Sequence, residues 1–514
     1  MLNTPLPHIT RWSDLNGVAL TPAENIVIDA AKAGKRANIG DTTPTTKTEA
    51  VLIRAPLLRY LILGGCDECR TQAAGVEVQG AWIEHTLDLS FATAAGPISL
   101  YDCHIAARPE MMHLKLHGLY LNRSTLPSGL NAQGVQVGGD VFLRGLKAKG
   151  AVSLSGAAIT GQLACEGATL ENADGPALNL QRAQVGGGVF LSGLTAKGAV
   201  SLSGAAITGQ LDCEGATLEN ADGPALNLQR ASVKGGFLWR NVKAVTGRVN
   251  LSSAHFADLA DDAASWDKCN DLTMVGLTYD VLHGSTDVLE RLDWLKKGAK
   301  NDGGFHPQPY EQLAKVLRES GHRAEAREIL IAKEREQRKT VRARRCHKRH
   351  WLKSILSPRN IGSTIVDIVF RETVGYGYKP HRSIFLLVFL ISLGAYVAAK
   401  AWDAGDFAPN SDVILNSAGW QALADDRTAY PNPAATWSDP LGPGQDYETF
   451  QPVAYAVDIV IPIIALGQET AWSPSTNRGW WGRQLWWLEW CLTALGWIVT
   501  AIGAAAVTGV IRRD

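Results

Sequence analysis

Along residues 151–202 apolar side chains recur mostly five or six positions apart, at Leu154, Ile159, Cys165, Leu170, Leu180, Val185, Leu191, Ala196 and Leu202. No helical face has that period, and the runs between glycines are too short for helices. Short strands turning at Gly, Ser, Asn and Asp fit a parallel β-helix with roughly four faces and ~22 residues per coil. The one long step falls at ENADG (171–175), which is expected to bulge out as a loop. Inward aliphatic residues would stack about 4.8 Å apart, one strand spacing. Residues 76–257 then supply on the order of eight coils.

The pattern also copies itself. Residues 141–185 and 189–233 differ only at Arg144/Ser192, Lys147/Thr195, Ala164/Asp212 and Gln184/Ser232, none of them an apolar slot above. A repeat offset by 48 positions that spares the core reads as an insertion lengthening a solenoid by about two turns. Small residues such as Ala157 and Ala205 make the pattern resemble pentapeptide-repeat-like β-helices, with a looser period. Cys165 and Cys213 take the place of stacked core residues. The clusters Gly138–Gly139 and Gly186–Gly188 read as turns, since no GxxxxGK[ST] occurs and neither opens a helix in a βαβ unit.

On either side the period changes. Residues 1–75 read as a helical cap, with amphipathic AENIVIDAAKAG and strongly apolar VLIRAPLLRYLIL (51–63). A solenoid end needs such a cover over its unpaired strand groups. The solenoid is assigned 76–258 and a helical linker 259–352. In the linker DLTMVGLTYDVLH and LERLDWLKKGA look helical, and PYEQLAKVLRESGHRAEAREIL reads as one tetratricopeptide-like hairpin serving as a second cap.

Residues 353–514 read as a membrane domain. Two nearly uncharged stretches, 383–402 and 484–511, are long enough to span hydrocarbon, the second entered through Trp480, Trp481, Trp486, Trp487 and Trp490. A third, 453–466, is too short to cross and contains Asp458 and Pro462; it suits a re-entrant or interfacial helix. The expected fold class is therefore mainly β: a right-handed parallel β-helix with helical caps and linker, and a C-terminal α-helical membrane domain.

Charge orients this domain. Lys and Arg balance Asp and Glu at 50 each, so no global field favours nucleic acid, which is not an expected partner. The basic run 333–353 and Lys379–Arg382 place the start of the first span in the cytoplasm, and Arg512 and Arg513 place the end of the second there. The acidic stretch 403–452 then faces outward, and the solenoid lies on the cytoplasmic side of an inner membrane. The basic run also suits anionic lipid headgroups. The N-terminus lacks a charged n-region before an apolar h-region, so no secretory signal is expected.

Candidate chemistry is sparse. TVGYG (373–377) spells a potassium-channel filter but precedes the first span, and reads as a juxtamembrane turn. The order span, outer loop, short re-entrant helix, polar turn ALGQETAWSP and second span is that of a two-helix pore domain. Its second span carries Gly496, Thr500, Ala504 and Thr508 as a close-packing ridge. Asp458, Gln468, Glu469 and Glu489 are the candidate pore residues, forming polar rings if several copies assemble; the alternative is an anchor with polar residues at its outer interface. Cys66 and Cys69 form the only CxxC, a weak redox candidate because two acids between the thiols raise their pKa. No catalytic, cofactor-binding or metal-binding residues are assigned and no cofactor is expected.

LIRAPLLRYLI, the LSGAAITGQL repeats, GYGYKPHR (375–382) and VDIVIPIIALGQETAW with LGWIVTAIGAAAVTGVIRR together resemble bacterial β-helical membrane proteins commonly labelled membrane-associated oxidoreductases. That label implies a redox cofactor, for which no Rossmann, flavin or haem motif is present. The reading is an inner-membrane protein whose cytoplasmic β-helix is a recognition or assembly platform for an unidentified protein or ligand. It is coupled to a membrane anchor or an oligomeric ion-channel-like pore; membrane-associated oxidoreductase is the alternative.

Overall fold

Stacked parallel strands, most only two to four residues long, build a solenoid of about nine turns. The computed structural model describes residues 9–65, 72–301, 304–347, 381–461 and 463–508, in two units, 1–340 and 341–514. The apolar positions form continuous inward columns. One runs Leu119, Val141, Leu163, Val189, Leu211, Phe237. A second alternates large and small, Leu126, Ala148, Leu170, Ala196, Leu218. All are buried, and each fully buried Leu or Val contributes roughly 1.5–3 kcal/mol. Cys165 and Cys213 are buried with them.

Strand register explains the repeat. Thr169 pairs with Thr195 and Thr195 with Thr217, rungs of 26 and 22 residues that together make the 48-residue unit. The longer rung holds ENADG inside an unbroken strand, Thr169–Asn179, rather than in a separate loop. The ladder absorbs the extra residues as register shifts at Pro176, where Asn172 Nδ2 donates to the Pro176 carbonyl at 3.0 Å. Among the four differing pairs, Ala164 pairs with Phe142 on one rung and Phe190 on the next and is buried between them. Gly188 lies in a close-packed corner, where an added Cβ would fall 2.9 Å from the Phe190 ring.

The ladders extend beyond 76–258 at both ends. Ala37–Asn38 pairs with Val78–Gln79, and Leu52–Arg54 with Trp82–Glu84. At the other end Asp271–Thr273 and Thr278–His283 continue the ladders as strands. The helical reading of DLTMVGLTYDVLH is thereby corrected. Leu272, Met274, Leu277 and Tyr279 are buried at strand and turn spacing, which stacking on the preceding rung rewards over a helix.

Helices close both ends. At the first, α1 (Pro22–Ala33) starts in a Thr21–Glu24 capping box, and α2 (Ala55–Ile62) follows the first rung. Arg54 reaches Glu24 through Nε at 2.8 Å and Nη2 at 2.6 Å. At the other end come α3 (Ala263–Asp267), α4 (Val288–Gly298), α5 (Gln308–Glu319) and α6 (Arg323–His347). Side-chain amides of α5 reach two carbonyls of the last coil: Gln308 Nε2 donates to the Leu277 carbonyl at 2.8 Å and Gln312 Nε2 to that of Tyr279 at 2.6 Å.

The second unit rests on α7 (His381–Asp403) and α13 (Trp480–Val507), both long and apolar enough to cross a membrane. Between them lie α8 (Asp412–Leu415), α9 (Ala418–Asp425), α10 (Pro433–Trp437), α11 (Pro452–Val460) and α12 (Gln468–Ala471). An antiparallel ribbon joins Phe407–Pro409 to Trp472–Pro474. Helix α11 is shorter than the 453–466 expected: Ile461 is extended, as a residue preceding proline prefers.

Candidate functional site

The four polar residues singled out in the C-terminal region occupy one loop that turns back on itself, residues 451–471, and the helix beside it. Trp402, near the end of α7, stacks on Phe450 with centroids 4.3 Å apart and meets Trp472 edge-on at 4.9 Å. Trp472 Nε1 donates to the Glu448 carbonyl at 2.8 Å. Residues 451–471 therefore leave and rejoin the same aromatic cluster.

From that cluster α11 descends between α7 and α13. Ala456 packs on Gly394 of α7, where a Cβ would lie 3.2 Å from its own. The Val460 carbonyl oxygen would be 1.9 Å from a Cβ on Gly496, so only glycine admits the end of α11 against the interior of α13. Of the expected small-residue ridge, Gly496 makes this contact. Gly503, rather than Ala504, receives α7, at Ser383.

Asp458 then fastens the returning chain. Its carboxylate accepts the amides of Leu466, of Gln468 at 2.7 Å and of Glu469 at 3.2 Å. Gly467 supplies the left-handed conformation of the turn, φ 85°. Gln468 is buried and ties the turn to the loop entrance: Oε1 accepts from Gln451 N at 2.9 Å and Nε2 donates to the Thr449 carbonyl at 3.1 Å. Tyr455 of α11 donates its hydroxyl to Glu489 of α13. The Glu469 side chain is exposed. Within one chain, Asp458 and Gln468 thus hold the loop, and Glu489 is engaged by Tyr455.

The buried Asp406 carries no local sequence signal. It accepts the amide of Gly482 in the first turn of α13 at 3.0 Å and lies 3.7 Å from Arg427. Arg427 also donates to the carbonyls of Arg478 at 2.6 Å and Ala404 at 3.0 Å. The segment between the two long helices is thereby tied to the ends of both. Trp480, Trp487, Trp490 and Trp497 are exposed along α13, as are Ile384, Phe385, Val388 and Phe389 along α7.

In the solenoid, burial pushes the Cys103 and Cys165 thiols up to about 12, which suits packing and opposes thiolate chemistry. Cys66, Cys69, TVGYG and residues 348–353 of the basic run lie outside the described residues. Among the described residues no group of three or more His, Cys, Asp or Glu is placed to hold a metal. One solenoid face carries a shallow trough, two depressions of about 490 and 340 Å³ sharing Ala158 and Thr160 and edged by Gln136, Gln184 and Lys234. Comparison of the chain with protein-family models, curated proteins and solved structures finds no match.

Proposed function

We propose that this is a two-span membrane protein whose re-entrant loop lines a conduction path when several copies assemble, with the solenoid as a recognition or assembly platform. The observation that carries this reading is the path of residues 451–471. They leave one end of two apolar helices, reach Gly496 and return to the same aromatic cluster, with Asp458 clamping the return. An anchor needs only the two helices, so the clamped excursion between them favours a pore loop. The exposed apolar faces of α7 and α13 suit lipid. Flanking positive charge puts the solenoid, read as right-handed, and both chain ends in the cytoplasm of a bacterial cell. The solenoid trough, edged by amide and ammonium groups, suits a polar partner.

The test is ion flux through liposomes reconstituted with the full-length protein. Flux that scales with an oligomeric fraction is expected, and Asp458→Ala, which frees three amides, should reduce it at least tenfold. A strict monomer in detergent and no flux from the wild type, at any membrane voltage, would leave an anchor. A flavin or haem absorbance band in the purified protein would favour the oxidoreductase alternative.

A further inference from the structure

The tip of the re-entrant loop has one side satisfied and one side bare. The amides of Leu466, Gln468 and Glu469 turn to Asp458. The carbonyl oxygens of Ile463, Ile464, Ala465 and Leu466 accept no hydrogen bond from any described residue. Their side chains are all exposed, Ile463 to 80%. This non-helical stretch follows the end of α11, whose last residue, Val460, abuts Gly496 in the interior of α13. At hydrocarbon depth such backbone is tolerated only where protein buries it or water lines it. Among the described residues none covers these oxygens, which leaves them open to groups contributed by other copies.

The surroundings set the sign of charge the tip would hold. The carbonyl end of α11, the negative pole of its dipole, lies at the tip. No Lys or Arg occurs anywhere in 452–474. Rings of carbonyl oxygens alone can replace the hydration shell of a monovalent cation, whereas divalent sites ordinarily add carboxylates to their carbonyl and water ligands. Asp458, the carboxylate bonded to this turn, is occupied by three amides.

We propose that the carbonyl oxygens of residues 463–466, contributed by several copies around a common axis, form a coordination site for a partly dehydrated monovalent cation. This rests on the pore-loop reading and assigns its selectivity to backbone oxygens instead of to rings of Asp458, Glu469 or Glu489 side chains.

The test uses full-length protein in liposomes, first without substitutions at the tip. The wild type should pass potassium and exclude chloride and the bulky cation N-methylglucamine. Equal flux of chloride, or passage of N-methylglucamine, overturns the site. Next, with Cys66, Cys69, Cys346 and the exposed Cys491 replaced by Ser, Ile464→Cys is treated with a cationic thiosulfonate reagent, with Phe389→Cys on the lipid-facing side of α7 as control. Modification at 464 should cut potassium flux at least tenfold, with potassium slowing the modification, and modification at 389 should leave flux unchanged. Undiminished flux after complete modification at 464 overturns the carbonyl site while the pore-loop reading stands. Absence of any wild-type flux overturns both.

Discussion

Arg291 and Asp261 meet inside the far end of the solenoid, with side chains only 5% and 0% exposed. The guanidinium grips the carboxylate with Nη1 at 2.6 Å and Nη2 at 2.8 Å, and Trp266 Nε1 donates to the same carboxylate at 2.6 Å. Glu24 and Arg54 form the counterpart at the near end. Removing one partner strands a buried charge, so Arg291→Ala should cost roughly 3–5 kcal/mol, read from the urea midpoint of the β-sheet circular dichroism signal. The double substitution Asp261→Leu, Arg291→Met should cost less than Arg291→Ala alone; a larger loss would mean that the pair, not its desolvation, dominates. None of this was legible in sequence order, because each pair is separated by 30 positions. Asp458 was legible as an unusual acid in an apolar run. Its use as a clamp for amides eight to eleven residues onward was not.

At the scale of elements, the solenoid tolerates change in whole rungs. One corner of each coil needs a left-handed residue, met by Gly145, Gly167, Gly193 and Gly215 in the repeats and by Asp102, Arg123 and Asn241 elsewhere. Excising residues 165–212, one full repeat, rejoins QLA to CEG and keeps every inward column in register. The shortened protein should retain its β-sheet signal and lose two rungs, about 10 Å of length, by small-angle scattering. Removing half as many residues from the same point should yield aggregate, because inward columns and turn corners no longer align. A well-folded half-repeat deletion would refute rung-by-rung stacking. Apolar period announced these strands. It misassigned 271–283 because a short apolar run suits helix or strand equally until a neighbouring rung offers its hydrogen bonds.

At the scale of the molecule, basic residues flank the outer edges of the two long helices, and in the proposed reading residues 453–466 add no crossing. A reporter fused after Asp514 should therefore be cytoplasmic, protected from external protease in intact cells; external cleavage would mean that 453–466 crosses. By itself the sequence determined what is periodic or contiguous: the stacked coil, its duplication, two helices of membrane-crossing length and a third apolar run too short to cross. Such features are local, since side-chain alternation and run length are properties of neighbouring residues. Only the tertiary structure decided the polar partnerships, such as Asp406 with Gly482 across 76 positions and Asp458 with its three amides. It also decided which loop carbonyls accept no hydrogen bond from the described residues. Those outcomes depend on where the chain returns in space, which pattern along the chain does not encode.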